Sequence, residues 1–136
     1  MTDLAITAAN VVAGAGAKVR QGTAGATVSA GQTLYRDPVD FKHKLADCDA
    51  ATAPVRSCAG IALHGASNGQ PLDILWEGPI TIGATLVPGT TYYLSPTPGG
   101  IAPLADLSSG DYPTIIGIAI SESVLSVKLH ASGVAL

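Results

Sequence analysis

The chain contains two diverged copies of one segment, and this repeat restricts its possible folds more than any other feature of the sequence. Ala26-Thr-Val-Ser-Ala-Gly-Gln-Thr-Leu-Tyr35 aligns with Ala84-Thr-Leu-Val-Pro-Gly-Thr-Thr-Tyr-Tyr93, the offset holding at 58 from 26 to 84, 31 to 89 and 35 to 93. Each copy passes through a turn to Leu45-Ala46-Asp47 or Leu104-Ala105-Asp106, then reaches Gly60-Ile61-Ala62 or Gly117-Ile118-Ala119. A closing strand follows, Leu72 to Trp76 in the first copy and Leu125 to Leu129 in the second. There the offset falls to 53, because the first copy carries a longer loop, His64 to Gln70. Each copy reads as a unit of about four strands. One such unit leaves a wide apolar face uncovered. Two units, packed face to face or closed into a barrel, bury that face and reduce the exposed edges.

The rest of the chain supports an all-β reading. Turn signals such as Ala30-Gly31, Asp37-Pro38, Asn68-Gly69, Pro88-Gly89 and Pro98-Gly99-Gly100 recur every eight to twelve residues or so. Between them lie short alternating or β-branched runs: 33–36, 42–46, 58–63, 71–76, 79–82, 91–95, 114–121 and 124–130. Helix signals are few, a possible turn over 45–53 and a 3-10 turn over 103–107. Residues 1–17 contain helix formers, but Ile6, Thr7, Val11 and Val12 are β-branched and Gly14-Ala15-Gly16 follows, so they read as an extended arm. The expectation is a compact jelly-roll-like sandwich or small barrel over 18–136, made of two four-stranded units spanning 26–76 and 84–129, with an N-terminal arm.

Composition narrows the function classes. Only 12% of residues are charged, about half of the roughly 25% usual in a soluble domain. Hydrophobic residues reach 47%, yet there is one Phe and one Trp, so the apolar content is mostly Ala, Val, Ile and Leu. Uncharged, small-residue surface suits oligomer and assembly contacts. The seven Lys and Arg residues are scattered and the net charge is −3, which predicts no nucleic-acid footprint. No apolar run approaches the ~20 residues of a membrane span, and the start Met-Thr-Asp-Leu-Ala lacks a basic signal-peptide region. Cytosolic synthesis and two free thiols, Cys48 and Cys58, are therefore expected.

No motif carries recognisable chemistry. Gly65-Ala66-Ser67-Asn68-Gly69 matches the G-x-S-x-G nucleophile elbow, but that motif requires a strand-to-helix turn, whereas Gln70-Pro71 and a strand follow here. Asn68-Gly69 reads as a hairpin tip. Gly14-Ala-Gly16 lacks the third glycine of a dinucleotide fingerprint. His43, His64 and His130 have no ligand spacing, and Asp47 and Asp49 read as turn caps rather than an acid–base pair. No enzyme, cofactor or metal is expected.

Among the rings, Tyr35 and Tyr93 hold equivalent positions and are expected to pack between the units, leaving Tyr92 on the opposite side of its strand as an interface anchor. Trp76 suits core or contact equally. The pieces without a repeat partner are the arm before Lys18, the loop His64–Gln70 and the tail after His130, and binding is expected there. The candidate interface residues are Leu4, Ile6, Val11, Val12, His64, Asn68, Trp76, Tyr92, Val134 and Leu136.

Four phrases together resemble the small head-decoration (cement) proteins of tailed double-stranded-DNA bacteriophages. They are Asn10-Val-Val-Ala-Gly-Ala-Gly-Ala17, Val28-Ser-Ala-Gly-Gln-Thr-Leu-Tyr35, Gly60-Ile-Ala-Leu-His-Gly-Ala66 and Thr114-Ile-Ile-Gly-Ile-Ala119. The resemblance covers most of the chain and rests on cadence and short phrases, not on a catalytic or metal motif. It implies a compact jelly-roll-like or barrel-like β-domain made in the host bacterial cytoplasm. It further implies a dimer or trimer on the outside of the virion head that clamps neighbouring major capsid subunits of HK97-type fold. The arm would add a strand to a coat-protein sheet edge, remaining mobile until it docks. The alternative is a tail or fibre adhesion module binding host carbohydrate, against which the shortage of exposed aromatic rings stands.

Overall fold

A computed structural model describes residues 3–135. Its strands, in chain order, are β1 (Val12–Ala13), β2 (Lys18–Thr23), β3 (Thr33–Arg36), β4 (His43–Leu45), β5 (Gly60–Ala62), β6 (Pro71–Thr81), β7 (Thr91–Leu94), β8 (Ile101–Pro103), β9 (Thr114–Ala119) and β10 (Val124–Ala131). Among the described residues helix is limited to 3-10 turns at Ala8–Asn10, Ala53–Arg56 and Leu104–Asp106. The sheet order is β4-β3-β5-β6-β10-β9-β7-β8, with β1 and β2 both on β6. This antiparallel sheet curls into a half-barrel, within the sandwich-or-barrel class expected.

The order is the same in the two copies. Counting outward from the last strand of each, β6-β5-β3-β4 matches β10-β9-β7-β8, and the copies meet where β6 pairs with β10. Backbone bonds recur with them. Gly31 N–H donates to Ala62 O (2.8 Å) and Gly89 N–H to Ala119 O (2.7 Å); Ala24 N–H donates to Gln70 O (2.9 Å) and Ile82 N–H to Ser123 O (3.2 Å). Opposite the seam, loop bonds tie the copies together, among them Gly99 N–H to Ala46 O (2.8 Å) and Cys48 N–H to Ser95 O (3.1 Å).

Strand β6 serves both copies. The sequence suggests two runs broken at Glu77-Gly78; the structure joins them into one 11-residue strand. Its first half pairs with β5 and β2, its second with β10 and β1. β2 was not expected as a strand, yet Lys18–Thr23 lies against the last strand of copy one as 77–81 lies against β10. The offset is again 58, and Thr23-Ala-Gly-Ala-Thr-Val28 matches Thr81-Ile-Gly-Ala-Thr-Leu86. The repeat therefore starts earlier than its most obvious phrase.

A bulge makes this double use possible. Lys18 stands opposite Glu77 and Val19 opposite Leu75, so Trp76 is the extra residue, and Gly78 follows with φ +109°. A side chain at Gly78 would be strained by that φ and would bring its Cβ to 2.8 Å from Ala17 Cα. The bulge shifts the alternation by one. Leu72 and Ile74 face a small core with Ala24, Val28, Leu34, Ala62 and Ala66, whereas Leu75, Ile80 and Ile82 face the larger core between the copies. The small core lies inside copy one, where Ala24, just beyond β2, bridges to His43 of β4 and closes the strands on themselves.

The phase of β7 differs from the expectation. Tyr35 does pack, partly buried, against the larger core, but Tyr92 is 3% exposed within that core and its hydroxyl accepts the Val87 N–H at 3.1 Å. Tyr93 is the half-exposed ring. The reason lies in the repeat: the counterpart of Tyr92 is Leu34, also fully buried, so the residue before the shared tyrosine fills each unit.

The expected free arm is instead laid against the body. Leu4 N–H donates to Ile101 O (2.9 Å), Thr7 N–H to Gly83 O (2.8 Å) and Gly14 N–H to Pro79 O (2.8 Å), and β1 pairs with Ile80–Thr81. Leu4 and Ile6 pack on the larger core and Val11 is 8% exposed within it. Burying three aliphatic side chains offsets much of the ordering cost. Gly83, with φ +73°, lets the segment approach, since a Cβ there would sit 2.5 Å from Thr7 O. Gly83→Ala should therefore lift residues 3–10 and cost about 2 kcal/mol, from left-handed strain plus lost contact. Urea unfolding checks the stability, and hydrogen exchange at Thr7 checks the lifting.

Candidate interaction surface

The ten residues expected to bind do not form one constellation. Leu136 lies outside the described residues. Leu4, Ile6, Val11 and Tyr92 are turned to the chain's own core. Val12 (59%) and Val134 (69%) are exposed, as are His64 and Asn68. The N-terminal segment meets β6 near residue 81 and the loop 64–70 leads into its start at 71, roughly 33 Å apart at about 3.3 Å per residue.

The loop is a built hairpin end. Gln70 N–H donates to Ser67 O (3.0 Å), with Asn68 and Gly69 at the tip, and Ser67 N–H donates to Gln70 Oε1 (2.7 Å). Strand β6 follows Ser67, not a helix, as the spacing predicted. His64 clamps the base: its Nε2 accepts the Asp73 N–H at 3.1 Å and its Nδ1 lies 2.9 Å from Gly65 O, which fits a proton on Nδ1. Among the described residues no group of three or more His, Cys, Asp or Glu side chains is placed to hold a metal ion.

Trp76 is the most distinctive surface group. As the bulge residue it is half-buried, and two cations of β2 lie over its ring, Lys18 Nζ at 5.2 Å and the Arg20 guanidinium at 5.1 Å from the centroid. Lys18 also bridges to Glu77 at 3.0 Å. Trp with Arg is the composition of an interface anchor. Sequence reasoning singled out Trp76 but missed its two cations, because β2 itself was missed. It also missed Ile118 (48% exposed) on β9 and Ile120 (61% exposed) just after it, although the alternation within 114–121 points both away from buried Ala119.

Several titratable groups sit in unusual surroundings. Both cysteines are free, and burial pushes each thiol up to about 12, which makes them poor nucleophiles. Asp47 caps the turn as expected, accepting the Asp49 N–H at 3.0 Å, but its acidity is not ordinary. Burial, then the adjoining Asp49 carboxyl, raises it to about 6. His43 is 4% exposed with neither ring nitrogen in a hydrogen bond, packed over Gly22, where a Cβ would lie 2.7 Å from the ring. Desolvation first, then the charges of Arg36 and Arg20, pull its pKa down, while the Thr23 backbone opposes them.

These two groups act on stability in opposite directions. The unfolded His43 imidazole takes up a proton before the folded one, so its contribution is complete above 6.5 and is lost as pH falls below that value. Asp47 holds its proton longer when folded, so its contribution is complete below 3.8 and is lost as pH rises to about 6. Urea midpoints measured across this window should lose the fall in stability below pH 6.5 in His43→Leu, and the fall in stability between pH 3.8 and about 6 in Asp47→Asn. No family model matches this chain, and no curated protein matches it either.

Proposed function

We propose that this chain is a structural decoration protein. It binds the outside of a phage head built from HK97-type major capsid subunits and cements neighbouring subunits, working as a homodimer without catalysis or cofactor. The observation that carries this reading is the N-terminal segment. It is held by a two-residue strand, a few backbone bonds and three aliphatic side chains, while Val12, Ala15 and Gly16 remain exposed. Ordering a residue costs about 1–2 kcal/mol, so a segment fixed this lightly can exchange its own edge for one on a neighbouring coat subunit. Binding at many equivalent sites multiplies a modest affinity. The low charge and the Trp76–Arg20 surface support the same reading. A carbohydrate-binding module is less well supported, because Lys18 and Arg20 already cover the Trp76 ring on which a sugar would stack.

Val12 and Thr81 are register partners, so a disulfide between Val12→Cys and Thr81→Cys would lock the segment to its own body. With empty shells of an HK97-type coat protein from the same genome, the reduced double variant should co-sediment and the oxidised one should lose most of its binding. Equal decoration by both forms would refute the exchange.

A further inference from the structure

The repeat exposes, in copy two, a face that copy one buries. Ile61 and Ile118 hold the same place in their copies, as do Leu63 and Ile120. Ile61 is 0% exposed, and Leu63 packs against the larger core. Ile118, on β9, and Ile120, just beyond its end, stand 48% and 61% exposed. Beside Ile118, Ile115, Leu129 and the Lys128 stem line a depression of about 360 Å³. Single exposed aliphatics need no explanation. A contiguous group on a hairpin face, in a chain that buries the equivalent face internally, does.

The charges on this hairpin identify the occupant. Glu122 is exposed at the β9–β10 tip, and Lys128 and His130 are exposed toward the open end. Glu122 lies in the turn before β10, and Lys128 is the fifth residue of that strand, so the two charges stand at opposite ends of the exposed hairpin face. Glu77, which stands opposite Lys128 in register, is already engaged by Lys18 at 3.0 Å. The hairpin is thus acidic at one end, basic at the other and apolar between. A copy turned through 180° over the same face would place acid on base at both ends, whereas a parallel copy would place acid on acid.

We propose that the outer face of β9–β10 is a self-association surface, on which a second copy docks about a two-fold axis with Ile118 and Ile120 at the centre and Glu122 of each chain beside Lys128 of the other. This surface involves none of residues 3–17, so it stands or falls separately from the exchange of that segment on a shell.

Sedimentation equilibrium of the full chain at low salt tests it. Wild type should dimerise, and Ile118→Glu should weaken the dimer about tenfold or more. Glu122→Lys alone and Lys128→Glu alone should each associate poorly, because both end contacts become like-charged. Mixed one to one, these two variants should re-form dimers, since each meets its opposite at both ends. A folding defect could not produce that rescue; far-UV circular dichroism confirms that each variant is folded. A wild type that stays monomeric at its highest soluble concentration would overturn the proposal and assign the face to a different protein. So would a dimer indifferent to Ile118→Glu, or a mixture that fails to recover.

Discussion

Everything in this fold depends on one slipped strand. β6 is the last strand of copy one and the first of copy two, and a regular strand could not do both. Without the bulge at Trp76, its two halves would present alternate residues to the same side throughout. Leu72 and Ile74 would then share a face with Gly78 and Ile80, and one of the two cores would lose its wall. Two residues after the slip the backbone takes φ +109°, which Gly78 tolerates. The stability of both cores is therefore coupled through a few residues of backbone.

The shared strand also explains why two copies of one sequence do different work. Copy one closes on itself through the bridge from Ala24 to His43 and turns its outer face, with Tyr35, Ile61 and Leu75, into the space between the copies. Copy two fills its interior with larger side chains at matched positions, Ile82 for Ala24 and Tyr92 for Leu34. Its outer face has no third copy to cover it. The asymmetry follows from stacking two units in one direction: the face that copy one turns toward copy two is covered, and the matching face of copy two is not.

Much of this was legible in the sequence, and the failures have physical causes. The repeated phrases gave the fold class, the two units and the turns, because hairpin chemistry is local: Asn68-Gly69 announces itself. The strand β2 was invisible because Lys18-Val-Arg-Gln-Gly-Thr23 lacks apolar alternation; it is held by its pairing with β6 and by Gly22 under His43. Tyr92 was placed outside because alternation fixes relative sides, not which side is inner; its equivalence to Leu34 decides that, and a leucine in both copies would have revealed it. The arm read as free because its apolar residues, Leu4, Ile6 and Val11, are too few to show a period, yet a groove prepared by Gly83 receives them. The cations over Trp76 could be found only once its neighbours across the sheet were known.

The order in which β6 acquires its partners matters during synthesis. Copy one can close as soon as residues to about 77 leave the ribosome, since β2 to β5 and the first half of β6 are then present. The second half must wait for β10, whose residues begin only at Val124. Throughout that interval the strands of copy one are present while the second half of β6 has an unpaired edge, the geometry that invites pairing between chains on one polysome. β1, already made, lies on the other side of the same residues, Ile80 and Thr81. It covers the opposite edge of those residues, so only one edge of this half of β6 stays open until β10 is made.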